Sequence, residues 1–242
     1  MSINQSLVDM RRNVSRSGLA RKHRSQRYAV KNWVNRLADV PCFIIGNAPS
    51  VLDHDLTSLN NYFTIGINRA FQLIDPTILM WQDLSLWKSE FHDVHNLQAL
   101  KVARDVADPR RLYYNFCLKG GNYQFSPDKS HVLYGRGSSG PLAAQFAVAL
   151  GCRPLILLGC DCKRGSDGRG DFYGENKFWL PHTLDNCWLG LEFLKKECPV
   201  EIISCGNAEE LWPRQELKDV LRDRINPRYA IGRQEYVKIL KS

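Results

Sequence analysis

Asparagine, serine, glycine and aspartate recur in this chain directly after short apolar runs, and that placement is its first chemical clue. Ile45 is followed by Gly46-Asn47-Ala48-Pro49-Ser50, Ile67 by Asn68-Arg69, and Trp81 by Gln82-Asp83. Tyr134 leads into Gly135-Arg136-Gly137-Ser138-Ser139-Gly140, and Leu158 into Gly159-Cys160-Asp161. Gly46 lets backbone approach a phosphate closely, and the Asn47 amide can donate to and accept from a ribose or base. Gly137-Ser138-Ser139-Gly140 opens an alanine-rich stretch, where free N–H groups, the helix dipole and two hydroxyls favour an anion. Asp161 could hold a ribose hydroxyl, a base edge or Mg²⁺, or simply cap the segment after it. Turn and cap preferences account for any one junction taken singly. Five together are more than turn chemistry alone would give.

His182 is the candidate acid/base. It stands in Trp179-Leu-Pro-His182-Thr-Leu-Asp-Asn186, at the mouth of a predicted helix, where a neutral imidazole could take a proton from a hydroxyl near pH 7. A lone histidine at a helix start is also commonly an exposed or capping residue. Cys160-x-Cys162 has no second cysteine or histidine pair at zinc spacing, so no metal site is expected. No D-x-D element is placed to offer a paired-carboxylate site, and there is no G-x-S-x-G elbow of a hydrolase.

These residues need elements to position them. The apolar runs at 41–45, 62–67, 77–81, 111–116, 130–134, 154–158 and 200–204 are short and continuous. Such runs fit strands of a parallel sheet covered on both faces, rather than the alternation of a one-sided sheet. Helical patterns lie between them over 139–150, 183–197 and 214–224. The alternation predicts a doubly wound, mostly parallel, Rossmann-like α/β sheet, whose ligands bind outside the carboxyl ends of the strands. Residues 162–180 are polar, glycine-rich and irregular, and are expected to form a lid over that edge.

With 242 residues, 44% apolar and 24% charged, the chain suits one domain with a real core. The net charge is +8, and +7 of it falls in residues 1–40, which hold nine Arg or Lys against Asp9 and Asp39. The spacing of Leu7, Met10 and Val14, and then of Trp33, Val34 and Leu37, makes this segment a basic helical arm ahead of a catalytic domain over 41–242. The arm could attract nucleic acid, an anionic membrane surface or an acidic partner, or serve solubility alone. Eight cysteines, most within apolar patterns, suit buried thiols in a reducing compartment. No run reaches membrane-spanning length and no secretory leader is apparent, so a cytoplasmic setting is expected, with the arm able to hold the protein at a membrane surface.

Together these motifs resemble the small bacterial sialyltransferases that use CMP-sialic acid. The resemblance rests on Phe43-Ile-Ile-Gly-Asn-Ala-Pro-Ser50, Ile65-Gly-Ile-Asn-Arg69, Gly137-Ser-Ser-Gly140 and Leu158-Gly-Cys-Asp161. The closest stretch is Pro181-His-Thr-Leu-Asp-Asn-Cys-Trp-Leu-Gly-Leu-Glu-Phe-Leu-Lys-Lys196, leading into 200–204. It covers residues 41–212 and implies a glycosyltransferase that works without a metal or bound cofactor. Its partners would be a nucleotide-sugar donor and a glycan or other hydroxyl acceptor, with further copies of the chain forming a homo-oligomer. Gly46, Asn47, Ser50, Asn68, Arg69, Ser138, Ser139, Gly140, Gly159 and Asp161 would form the nucleotide site, and His182 would deprotonate the acceptor. The family's lid tyrosine is replaced by Cys162-Lys163-Arg164, leaving Tyr173, Lys163 or Arg169 to help the departing phosphate. The chain is also similar to archaeal 6-hydroxymethylpterin pyrophosphokinases, which share the Gly-x-x-Pro-Ser loop and transfer diphosphate from ATP with Mg²⁺. That likeness would make Asp83, Asp161 and Asp185 metal-facing carboxylates. A third reading is a nucleotide- or nucleic-acid-binding module, or a transferase acting on nucleic acid through the arm.

Overall fold

A computed structural model describes residues 28–174 and 182–242. Eight strands form one parallel sheet: β1 Cys42–Ile45, β2 Thr64–Ile67, β3 Ile78–Trp81, β4 Leu100–Arg104, β5 Tyr114–Lys119, β6 Val132–Tyr134, β7 Leu155–Leu158 and β8 Ile202–Ser204. Their order across the sheet is β6-β5-β4-β3-β2-β1-β7-β8. Every residue of β1, β2, β3 and β7 is buried, as two-sided burial of a parallel sheet requires. The protein is thus an α/β, Rossmann-like fold. Five α-helices accompany the sheet among the described residues: α1 Leu84–Asn96, α2 Ser139–Ala149, α3 Thr183–Glu197, α4 Leu217–Asp223 and α5 Arg233–Lys241.

The chain lays down β1 to β6 in one direction and then returns. Helix α2 carries it back to β7, which pairs with the free side of β1 in register Ile45↔Leu158. Nearly all of α2 is buried, from Pro141 to Ala149, because sheet and α3 cover it together. That apolar surround explains why Ala143, Ala144 and Ala147 show no polar face.

Three features differ from the sequence expectation. Strand β4 was hidden because Lys101 and Arg104 interrupt its apolar run, and Arg104 turns out to matter. Helices α1 and α5 carry mixed, strongly polar sequences, and α1 contains a non-helical residue at Glu90. Residues 28–40 are part of the domain rather than a separate arm. Ala29–Trp33 is a 3₁₀ turn and 34–39 form turns, where Trp33, Val34 and Leu37 were expected to share a helix face; Val30, Trp33 and Leu37 join the main core. Backbone bonds from Asn35 to Ala149 and from Leu37 to Leu150 fix this segment to the end of α2 (2.9 and 2.8 Å). The first expected helix, over Leu7, Met10 and Val14, lies outside the described residues, as do residues 175–180 of the expected lid.

Candidate functional site

Between β1 and β7 the winding direction of the sheet reverses, and in open α/β sheets a crevice forms at that point. The loops leaving both strands meet there almost backbone to backbone. A Cβ on Gly46 would lie 2.1 Å from the carbonyl oxygen of Gly159, and Gly159 itself has φ +58°. Only glycine fits either position. The Gly46 amide donates to Leu158 and that of Ala48 to Gly159, at 2.7 and 2.9 Å, so the pair of loops is fixed. A crevice of about 650 Å³ opens beside them.

Several expected residues line it. Gly46, Asn47, Asn68, Ser138, Ser139 and Gly159 all do so, as do Gly140 and Tyr173. Asn47 donates its side-chain amide to the Ile67 carbonyl at 3.1 Å, tying the β1 loop to the end of β2, while its Oδ1 is buried with no partner. Asn68 adopts φ +50°, which asparagine tolerates better than most residues. The Gln82 amide at the end of β3 donates to the Gly137 carbonyl and, at 2.9 Å, to the Ser139 hydroxyl, holding the glycine–serine turn in place.

Two helices point their N-termini at this space. Residues 137–140 and Thr183, Leu184 and Asn186 belong to its lining, and neither Ser138 nor His182 caps its helix with a side-chain hydrogen bond. The first turns and dipoles of two helices directed at one space favour an anion. Arg104 and Arg136 add positive charge to the same lining, and Arg104 Nε is buried without a partner. Burial raises the Asp83 carboxyl above the ordinary aspartate range, and the nearby Arg104 charge opposes that rise.

The segment from Cys162 to Gly174 is docked against the β1 loop: the Phe172 amide donates to the Asn47 carbonyl at 2.7 Å. It delivers Asp171 and Tyr173 to the crevice. Asp171 is only 6% exposed, and its Oδ2 has no hydrogen-bond partner. Burial pushes its carboxyl up to about 6, against a hydrogen bond from Tyr173 and the charge of Arg69. Arg69 lies over the Tyr173 ring, 4.7 Å from its centroid, and pairs with Glu90 at 2.9 Å. Cys162 and Cys187 also line the crevice. A hydrogen bond from Cys162 lowers the Cys187 thiol to about 7; burial works against it, while Ser138 helps.

Other expected residues have different employment. The Asp161 carboxylate is buried and accepts from Ser50 Oγ and the Asn207 amide, both at 2.9 Å, so it joins the β7 loop to its neighbours. Burial raises its pKa, opposed by those bonds. Ser50 is consumed in the same contact. Lys163 pairs with Glu210 at 3.1 Å and Arg169 with Asp167, both on the surface. The His182 side chain is 81% exposed, 3.6 Å from the equally open Asp185, and does not line the crevice. The helix period explains this. Residues 182, 185 and 189 share the solvent face, while 183, 186 and 187 turn toward the crevice. The chain's one Asp-x-Asp, Asp53-His54-Asp55, is also spent elsewhere: Asp53 pairs with Arg214 at 3.0 Å and Asp55 caps a 3₁₀ turn. Among the described residues no group of three or more His, Cys, Asp or Glu is arranged to hold a metal ion, and no helix is long and apolar enough to cross a membrane.

Gln82, Arg104, Arg136, Asp171 and Cys187 are crevice residues that the sequence reading did not single out for a role. Arg136 and Gln82 stood within quoted strand-end segments, so their position was the available signal. Comparison with known proteins adds no assignment: no family model matches the chain, and no curated protein matches it.

Proposed function

We propose that the crevice binds a nucleotide-activated sugar and that the protein transfers the sugar to an acceptor hydroxyl. One observation carries the proposal. Two helix N-termini, Arg104 and Arg136 share the lining of one crevice with the Gly46–Gly159 contact at the switch point. That combination suits a phosphate-bearing ligand approached by backbone. Asn47, Asn68 and Gln82 supply the amides that a ribose or base needs, and the 162–174 segment, docked on the β1 loop, forms one wall of the site. The resemblance to CMP-sialic-acid-dependent transferases makes a cytidine nucleotide the first donor to try.

The experiment is a thermal-shift panel of CMP, UDP, GDP and ATP, followed by turnover of the corresponding nucleotide sugars with and without EDTA. A native-state ligand at about 100 times its Kd stabilises by about 2.7 kcal/mol, a readily measured shift. Transfer that survives EDTA supports the proposal. Mg²⁺-dependent consumption of ATP would point to diphosphate transfer instead. Of the three carboxylates which that alternative needs, Asp83 lines the crevice, whereas Asp161 is engaged with Ser50 and Asp185 faces solvent.

A further inference from the structure

Glycosyl transfer to a hydroxyl requires a group that takes the acceptor's proton, and the histidine expected for that task stands outside the crevice lining. Two aspartates belong to the described lining, Asp83 and Asp171. Asp83 precedes the first turn of α1 on the exposed side of the lining, and the Arg104 charge opposes the rise that partial burial gives its carboxyl. Asp171 is different in kind. It is 94% buried, its Oδ2 accepts nothing, and its backbone is held by the adjacent Phe172–Asn47 bond and by the Gly174 amide, which donates to its carbonyl at 3.1 Å. A buried acceptor left without a donor costs about 1–3 kcal/mol, so a native structure that keeps one calls for an explanation. A ligand hydroxyl would supply the missing donor.

The groups facing Asp171 fit that task. Tyr173, from the same segment, hydrogen-bonds the side chain, Arg69 approaches from the turn after β2, and Cys187 faces it from α3. Arg69 already pairs with Glu90, so its charge does not fully offset the burial of Asp171. We propose that Asp171, rather than His182, is the general base of the transferase reaction, a role that rests on the glycosyl-transfer reading above. The acceptor hydroxyl donates to Oδ2. As its oxygen forms a bond to the anomeric carbon, the bond from that carbon to the nucleotide phosphate oxygen breaks, and its electron pair leaves with the phosphate. The acceptor proton passes to Oδ2, giving a neutral carboxylic acid that returns the proton to water once the product departs. A carboxyl that burial has moved to about 6 is ionised enough to accept near neutrality and basic enough to hold what it takes.

The test compares wild type, Asp171→Asn, Asp171→Glu and His182→Ala in nucleotide binding by calorimetry and in release of nucleotide from the donor sugar. Asp171→Asn is expected to bind the nucleotide within about threefold of wild type and to lose at least about 100-fold in kcat. The wild-type acid limb of kcat/KM, near pH 6, should vanish from its residual activity and return, displaced, in Asp171→Glu. His182→Ala should keep that limb and a kcat within about threefold of wild type. Persistence of the limb in Asp171→Asn, or its loss in His182→Ala with a comparable fall in kcat, overturns the assignment. A wild type that binds no nucleotide or transfers no sugar defeats the transferase reading itself, a failure seen before any variant is made.

Discussion

An ionised carboxylate buried among protein atoms should weaken the fold, and at Asp171 the effect has a definite size. The carboxyl is raised from 3.8 to about 6 in the folded protein. The native state therefore holds the proton more tightly than the unfolded chain. Stability from this group is greatest at low pH, falls as pH rises from about 4 to about 6, and stays at its lower level above that. A gap of about two pH units corresponds to about 3 kcal/mol at 1.36 kcal/mol per unit. With only 6% of the residue exposed, solvent screening removes little of it. Asp171→Asn cannot ionise, and its amide oxygen can still accept from Tyr173. It should match wild type near pH 4 and exceed it by up to about 3 kcal/mol at pH 7.5, roughly 6–12 °C in Tm for a chain of this length. Urea unfolding of both proteins from pH 4 to 8 measures the difference directly, and groups common to the two cancel. Two curves that stay parallel across that range would show that Asp171 is an ordinary carboxylate.

The remaining expectations concern the crevice around it. Gly46→Ala forces a Cβ to within 2.1 Å of backbone at Gly159 and should cost about 3 kcal/mol or more, whereas Gly120→Ala, with nothing within 4 Å, should stay within about 0.5 kcal/mol of wild type in urea unfolding. Cys187 should be alkylated by iodoacetamide with a midpoint near pH 7, ahead of the other crevice thiols; Cys162→Ala removes the hydrogen bond that holds it there and should move the midpoint upward, as peptide mapping by mass spectrometry would show. Arg104→Ala should weaken binding of the cognate nucleotide by about 10- to 100-fold, the worth of a charge-assisted hydrogen bond, while the corresponding nucleoside loses little. Equal losses for nucleotide and nucleoside would place Arg104 away from the phosphates.

Much of this architecture could be read from residue order because burial on both faces leaves a plain mark. Strands β1, β2, β3 and β7 are uninterrupted apolar runs, and the glycine-, serine- and asparagine-bearing segments at their ends are the loops that build the crevice. Strand β4 was not legible: its two basic residues look like surface, yet Lys101 is half-buried and Arg104 reaches the crevice. The role of residues 28–40 was obscured by their charge, although Trp33, 4.7 Å from Tyr114 by ring centroids, is a core residue. At α3 the sequence located the right helix but not its rotation. One residue of helix amounts to about 100°, enough to exchange His182 for Thr183 at the crevice. Asp171 lies in Gly170-Asp-Phe-Tyr173, within a polar segment that has no periodicity. The paired aromatics beside it were the only hint that this part of the segment is packed.

Charge distribution around the crevice gives the proposed ligand a direction. Arg104 and Arg136 come from the β4 and β6 side of the sheet, and α2 presents its N-terminus after β6. Asp171 and Tyr173 arrive from the segment after β7, on the opposite side of the switch point, where the nearest cation, Arg69, is already paired. A compact anion satisfies the first group of residues and leaves Asp171 Oδ2 without a donor. A ligand that carries phosphate at one end and presents a neutral hydroxyl at the other satisfies both, which is the arrangement of an activated donor meeting its acceptor. The buried, partnerless oxygen of Asp171 is thus better explained by two substrates than by one, and it favours group transfer over nucleotide binding alone.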